Sequence, residues 1–381
     1  MKIVIDEKIE FGTQAFSEFG EVAAANGRLI SNETLKDADA LIVRSITNVD
    51  ENLLSGTKVK FVGTATIGTD HVDQEYLAAK NIKFADAKGC NANAVKEYVL
   101  TALISAAVKN KIQLKGKSIG VVGVGNIGSI LSEAAETLGM IVVKNDPPLK
   151  RKTGSDEYKS LEEALACDVV TFHVPFNFEG IDKTFHLLNS LNIDKIRNCE
   201  ILINSSRGPV IDNEVLAKLL SEKQKLFTIL DVWEDEPNLN AELLSMVDIA
   251  SPHVAGYSLE GKVNGTTLVY DKFCEYLKIK PTWQPILPKV ENSVIEVNTN
   301  ESIETVLNNI FTKIYPIEND TKQLKASLNL SQKERGKYFD DLRKNYKLRR
   351  EFSNYSIKLN PFDETIAGIL RSLNFRIINY S

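Results

Sequence analysis

Ser118-Ile119-Gly120-Val121-Val122-Gly123-Val124-Gly125-Asn126-Ile127-Gly128 is the stretch on which the fold of this 381-residue chain turns. An apolar run leads into a G-x-G-x-x-G loop. Residues 127–138 then follow a helical pattern, and a second apolar run, residues 140–143, ends in Asn145-Asp146. Strand, glycine loop, helix and strand in that order form a dinucleotide-binding unit. The first glycine makes a tight turn, the second lets backbone N–H groups reach a pyrophosphate, and the third lets the helix pack closely on the strand. The pyrophosphate then meets a helix N-terminus, where N–H groups and a partial positive charge favour an anion. An acid about 20 residues past the loop bonds the ribose hydroxyls and repels a 2′-phosphate, which favours NAD over NADP. Gly123, Gly125, Asn126, Ile127, Gly128 and Asp146 are therefore the expected cofactor contacts.

Outward from this unit, short β-branched runs alternate with helical patterns. Strands are expected over residues 2–5, 40–44, 60–63, 82–85, 118–123, 140–145, 168–174, 201–204 and 227–231, with helices such as 161–166 and 213–221 between them. Apolar strands alternating with helices indicate an α/β protein with doubly wound parallel sheets. Because the glycine loop begins only at Gly123, a complete α/β unit precedes it. Residues 93–110 read as a long amphipathic helix joining the two units. A helix over 259–278 could return the chain to the first, making that domain discontinuous. The expected domains are 1–92 with 257–280, then 93–256, then 281–381. Pro281, Pro285 and Pro288 mark a linker. Beyond it, strand patterns at 293–297 and 355–359 and helices at 303–314 and 339–352 suffice for a small α+β domain.

Composition narrows the function. A net charge of -5 supplies no general attraction for nucleic acid. The apolar runs are too short and interrupted to span a bilayer, and residues 1–6 read as a strand rather than a signal peptide. Cys90, Cys167, Cys199 and Cys274 are scattered without a CxxC pair, which points to a reduced, cytoplasmic protein with no metal site.

Three polar residues follow strand ends in the cofactor half: Arg207 in Ser205-Ser206-Arg207-Gly208, Glu236 in Asp235-Glu236-Pro237, and His253 in Ser251-Pro252-His253-Val254. Oxidising a hydroxy acid requires a base for the hydroxyl proton while the carboxylate is pinned. Histidine, with an ordinary pKa near ~6.5, can take and return that proton. A neighbouring glutamate orients the ring and favours the imidazolium. Arginine pairs bidentately with a carboxylate, which lysine cannot match. Singly, each has a structural alternative: a core histidine, a solvated loop acid, an arginine at a strand end. Together, after strands of a dinucleotide-binding sheet, they read as a reacting centre.

The glycine loop, Ser206-Arg207-Gly208, Asp231-Val232-Trp233-Glu234-Asp235-Glu236-Pro237 and Pro252-His253 resemble the D-isomer-specific 2-hydroxyacid dehydrogenases over roughly residues 1–280. A narrower branch of that family is resembled over nearly the whole chain. The motifs are Val43-Arg44-Ser45, Gly68-Thr69-Asp70-His71-Val72-Asp73, Gly89-Cys90-Asn91-Ala92, Asn145-Asp146-Pro147-Pro148, His253-Val254-Ala255-Gly256-Tyr257-Ser258 and Leu342-Arg343-Lys344-Asn345-Tyr346. The resemblance implies two Rossmann/flavodoxin-like domains, a C-terminal dimerisation domain and a homodimer. It also implies a phosphorylated four-carbon hydroxy acid as substrate and a place in pyridoxal 5′-phosphate synthesis. Arg207, Glu236 and His253 would be catalytic. Asp146, Asp231, Gly256 and the backbone of Ser206, Arg207 and Gly208 would contact NAD, and Ser45, Thr66 and Tyr257 the substrate. The family often carries threonine where Val174 stands, so a hydroxyl near the cofactor is lost.

The substrate's phosphate needs a basic partner. Arg44, at a strand end, is one candidate, and the run Arg343-Lys344-Asn345-Tyr346-Lys347-Leu348-Arg349-Arg350 is another, with a solvated basic helix face as the alternative. A phosphoglycerate or hydroxypyruvate dehydrogenase would share the same trio. A non-catalytic, NAD-gated binding protein would share the fold.

Overall fold

The computed structural model describes residues 1–222 and 225–378. The chain forms two compact units, Met1–Ala92 with Tyr257–Lys289 and Asn93–Gly256 with Val290–Ser381.

The first unit holds a five-stranded parallel sheet of β1 (Lys2–Asp6), β2 (Glu21–Ala25), β3 (Ala40–Val43), β4 (Phe61–Thr64) and β5 (Lys83–Asp86), in the order β2-β1-β3-β4-β5. β3 and β4 are buried throughout, as a parallel strand covered on both faces requires. The edge strand β2, Glu-Val-Ala-Ala-Ala, was not anticipated. It is half exposed and alanine-rich, so it carries neither a β-branched run nor an alternating pattern. The helix Leu259–Leu277 completes this unit, burying Val269, Tyr270, Phe273 and Cys274 with Ile3, Ile5, Phe16 and Phe61. All four cysteines of the chain are buried.

The second unit is built on a six-stranded parallel sheet: β6 (Ser118–Val122), β7 (Ile141–Asn145), β8 (Val169–Phe172), β9 (Ile201–Asn204), β10 (Phe227–Leu230) and β11 (Ile249–Ala250). Their order is β11-β10-β9-β8-β6-β7, so winding reverses between β6 and β8. In such a sheet ligands bind beyond the carboxyl ends of the strands, next to that reversal. The glycine loop follows β6 there. Arg207, Glu236 and His253 follow β9, β10 and β11 respectively, which lie side by side.

The helix Ala92–Asn110 departs from the amphipathic expectation: residues 94–107 are buried on every side. The face bearing Lys96 and Glu97, which a sequence reading assigns to water, is covered by the C-terminal segment. Glu97 accepts the Phe352 N–H at 3.0 Å, and Asn93 donates to Glu351 at 2.6 Å. That segment contributes a small parallel sheet of β12 (Val294–Asn298), β13 (Ser356–Asn360) and β14 (Arg376–Ile377), ordered as numbered. Stacked Phe311, Phe352 and Phe375, with centroids 4.7 and 4.6 Å apart, share one core with Val95, Leu103 and Ile119. A helix was expected over 339–352; the structure places it at Gln332–Lys344. Its first turns are nearly all polar, so no apolar period betrays them, although Ser331 and Glu334 form a capping box. No helix among the described residues is long and apolar enough to cross a membrane.

Candidate active site

The glycine loop has the shape the motif demands. Gly123 has φ +91°, and a Cβ there would lie 2.6 Å from the His173 carbonyl oxygen and 2.9 Å from Val174 Cγ1. A Cβ on Gly128 would lie 1.9 Å from the Gly123 carbonyl oxygen, so the helix Asn126–Thr137 starts hard against the turn. At Gly125 a Cβ would meet nothing within 4 Å, and no side chain caps the helix that follows. Open space over an uncapped helix N-terminus fits a pyrophosphate. Asp146 closes the cradle. Its Oδ2 accepts the Val124 N–H and its Oδ1 the Leu149 N–H, each at 2.9 Å, which ties the end of β7 to the loop. Two buried polar atoms nearby, His173 Nδ1 after β8 and Ser205 Oγ after β9, have no protein partner. The residues present therefore fit a dinucleotide.

His253 and Glu236 come together as the chemistry requires, with His253 Nδ1 2.8 Å from Glu236 Oε2. A carboxylate can only accept, so Nδ1 carries the proton and Nε2 remains the basic nitrogen. The other oxygen of Glu236 accepts the Trp233 N–H at 2.9 Å. Burial alone would raise the Glu236 carboxyl's pKa; the facing His253, its hydrogen bond and Arg343 outweigh burial and hold it below the ordinary value.

The backbone around His253 is tightly defined. Its φ is +56°, uncommon for a side-chain-bearing residue. Asp231, only 1% exposed, holds this conformation. Its carbonyl accepts the His253 N–H at 2.7 Å, and its carboxylate accepts the N–H groups of Val254 at 2.8 Å and Ala255 at 2.9 Å. Ser251 Oγ also donates to that carboxylate at 2.6 Å and lies 2.7 Å from Tyr98 Oη. Asp231 thus acts first as the anchor of the His253 loop, with Gly256 just beyond.

Arg207 is half-buried at the turn after β9 and donates from Nη1 to its neighbour's carbonyl, Ser206 O, at 2.8 Å. A Cβ on Gly208 would lie 1.9 Å from the backbone carbon and oxygen of Trp233, so the turn carrying Arg207 rests directly on the loop carrying Glu236. From its other side that loop is fixed by Glu234, which takes the Asn213 N–H at 2.7 Å and pairs with His186 Nε2 at 2.6 Å. Asp212 lies 3.4 Å from His186 Nδ1, so both ring nitrogens face carboxylates. Sequence reasoning missed this brace.

The substrate candidates lie in the first unit. Arg44 and Ser45 follow β3 and Thr66 follows β4, at the carboxyl edge of that sheet. Arg44 Nε is 3.0 Å from Oδ2 of buried Asp6, at the end of β1, so the pair marks the winding reversal between β1 and β3. Ser45 is exposed. Thr66 Oγ1 is 2.8 Å from Thr64 Oγ1, and Lys262 Nζ lies 4.2 Å from the centre of the Tyr257 ring.

The basic run in the C-terminal segment is not one solvated helix face. Only Arg343 and Lys344 are helical. Arg350 donates to Asn354 at 2.9 Å, and Arg349 is buried, bonding carbonyls of its own chain. Arg349 is thereby removed as a phosphate clamp.

A glycine-loop sheet bearing a histidine–carboxylate pair and an arginine on its carboxyl edge defines a dinucleotide-dependent dehydrogenase. The comparisons agree. A family model described as "D-isomer specific 2-hydroxyacid dehydrogenase, NAD binding domain" matches residues 91–255, and one described as a domain of unknown function matches residues 286–373. An erythronate-4-phosphate dehydrogenase from Proteus mirabilis (strain HI4320) is 43% identical, covering 98% of this chain and 99% of its own. One from Tolumonas auensis is also 43% identical, over 94% and 95%. Among solved structures, the NAD+-bound 3-phosphoglycerate dehydrogenase of Entamoeba histolytica aligns with a TM-score of 0.60 at 25% identity, covering 75% of this chain and 99% of that one. The chain belongs to the erythronate-4-phosphate dehydrogenases, within the D-isomer-specific 2-hydroxyacid dehydrogenase family. It is an oxidoreductase, and its cofactor is NAD.

Proposed function

We propose that this chain oxidises 4-phospho-D-erythronate to (R)-3-hydroxy-2-oxo-4-phosphooxybutanoate, a step in pyridoxal 5′-phosphate synthesis. The observation that carries the chemistry is the pairing of His253 Nδ1 with Glu236, which leaves Nε2 as a base. The near-full-length relatives support the substrate. Arg207 receives the substrate carboxylate in a bidentate pair. His253 Nε2 takes the proton of the C2 hydroxyl, and Glu236 stabilises the imidazolium that forms. Bound NAD supplies the acceptor for the hydrogen and electron pair that leave C2. In the reverse direction His253 returns the proton to the keto oxygen.

Gly123, Gly125, Asn126, Ile127 and Gly128 hold the pyrophosphate and Asp146 the ribose. Ser206, Arg207, Gly208, Asp231 and Gly256 border the nicotinamide end, Asp231 also through the loop it anchors. Ser45, Thr66 and Tyr257 contact the substrate, and Arg44, oriented by Asp6, takes its phosphate. The chain works as a cytoplasmic homodimer, joined through its C-terminal segment. That reading is supported by the exposed edge strand β12 and tested by sedimentation.

The deciding assay follows nicotinamide absorbance with NAD and 4-phospho-D-erythronate, with 3-phospho-D-glycerate and D-glycerate in parallel and a carbonyl trap in each. NADH formed with the four-carbon phosphate alone is expected. Turnover of the three-carbon acids instead would keep the mechanism and move the substrate. Silence with all three would leave a binding protein.

A further inference from the structure

The reactive loops of the second unit are supported by residues roughly a hundred positions downstream. Arg349, 7% exposed, donates to the Ala94 carbonyl at 2.8 Å, to the Val254 carbonyl at 3.2 Å and to the Ala255 carbonyl. Asp231 holds the N–H groups of the same two loop residues. The peptide groups just after His253 are therefore gripped on both polar sides, by a carboxylate from β10 and a guanidinium from the C-terminal segment. Arg349 is itself set in place: its guanidinium carbon stands 4.6 Å from the centre of the Tyr315 ring. Tyr315 Oη donates to Asp320 at 2.5 Å, and Tyr346 Oη donates to the same oxygen at 2.9 Å.

The helix Gln332–Lys344 treats the Glu236 turn similarly. Arg335 donates to the Leu239 carbonyl at 3.4 Å, and a Cβ on Gly336 would lie 2.8 Å from Asn238 Oδ1. The positive charge of Arg343 acts on Glu236 from the same helix.

We infer that the C-terminal segment, whose matching family model is described as a domain of unknown function, is a working part of the reacting centre. Arg349 is a positioning residue that fixes His253 through the carbonyls of Val254 and Ala255, and the helix Gln332–Lys344 sets the turn presenting Glu236. Five guanidinium donors in a rigid fork can serve three carbonyls at once; an ammonium has no such geometry. The inference rests on the reading of His253 as the base.

The test uses the full chain as R349K and R349M beside H253A. It measures thermal melting, NADH affinity by fluorescence, and kcat and KM for 4-phospho-D-erythronate. Displacing a catalytic group by about 1 Å costs on the order of 10²-fold, so a kcat loss of about that size is expected for R349M, with NADH affinity within about threefold of the parent. R349K, which keeps the charge facing Glu97 and Asp320, should fold and recover part of that loss. Should R349M fail to fold, R349K decides alone: it is expected to lose about tenfold in kcat at unchanged NADH affinity. A folded R349M, or failing that R349K, with kcat within about twofold of the parent overturns the inference. Loss of turnover in H253A together with that result leaves the proposed function standing. Retention of turnover in H253A sinks the function instead.

Discussion

In the proposed reaction Glu236 acts by what it does to one proton. Its Oε2 faces His253 Nδ1 and so selects the tautomer with Nε2 free. Glu236→Gln keeps the shape, but the amide has a donor as well as an acceptor and no charge to stabilise an imidazolium. We expect kcat for oxidation to fall by about 10²-fold or more at neutral pH. A kcat within about twofold of the parent would show that the charge of Glu236 does not serve the reaction. Burial pushes the pKa of the nearby His173 down to about 3, so that ring stays neutral across the working range. Asp146 supports a second expectation. Its oxygens tie Val124 and Leu149 beside the glycine loop, where the proposed reading sets the ribose. Asp146→Asn keeps an acceptor and removes the repulsion toward a 2′-phosphate, so the preference for NAD over NADP should fall by about tenfold, read from the ratio of kcat/KM values. The places of these residues at strand ends were legible because the proposed chemistry demands each residue type there. Arg349 was not. Its partners lie about a hundred and more than two hundred and fifty residues away, and a basic run in sequence carries no sign that one member turns inward.

Among elements, the strands buried on both faces were the easiest to read, since β3 is apolar throughout and β4, β8 and β9 are mostly so. The two-residue β11 offers no pattern of its own, yet it sets the start of the His253 loop through its pairing with β10. The helix Ala92–Asn110 was located but its surroundings were misjudged. Lys96 and Glu97 lie where an amphipathic helix would face water, and the cover over them comes from the far end of the chain. Contact between neighbouring loops is equally silent in sequence. Gly208 lacks a positive φ, so its glycine is required by the Trp233 backbone against it rather than by conformation. Gly208→Ala should lower stability by about 1–3 kcal/mol through overpacking. It should also lower kcat, because the turn carrying Arg207 must part from the loop carrying Glu236. Melting and turnover measured on the same preparation check both. A neutral result in each would mean the two loops move apart without consequence.

Across the molecule, two buried groups set opposing pH dependences of stability. Burial, with Glu351 adding to it, pushes the Glu97 carboxyl up to about 8 from an ordinary 4.5. Burial pushes His173 down to about 3 from 6.5. Between pH 4.5 and 8 the folded chain retains a proton on Glu97 that the unfolded chain has released, so this group's contribution falls as pH rises, by about 1.4 kcal/mol per unit. Between pH 3 and 6.5 the unfolded chain protonates His173 and the folded chain does not, so that contribution rises with pH at a similar slope. The two offset each other between 4.5 and 6.5. Above 6.5 the Glu97 slope stands alone and below 4.5 the His173 slope does, so these two groups favour a stability plateau in mildly acidic solution. Glu97→Gln mimics the protonated carboxyl and keeps an acceptor for Asn93 and the Phe352 N–H. The variant should match the parent below about pH 4.5 and exceed it increasingly toward pH 8, by about 1.4 kcal/mol per unit. Denaturant melts of parent and variant at pH 4.5, 6.5 and 8 read this difference directly. A constant difference across that range would mean that Glu97 is ionised in the folded chain, paired with Lys96 and Arg349 strongly enough to outweigh its burial.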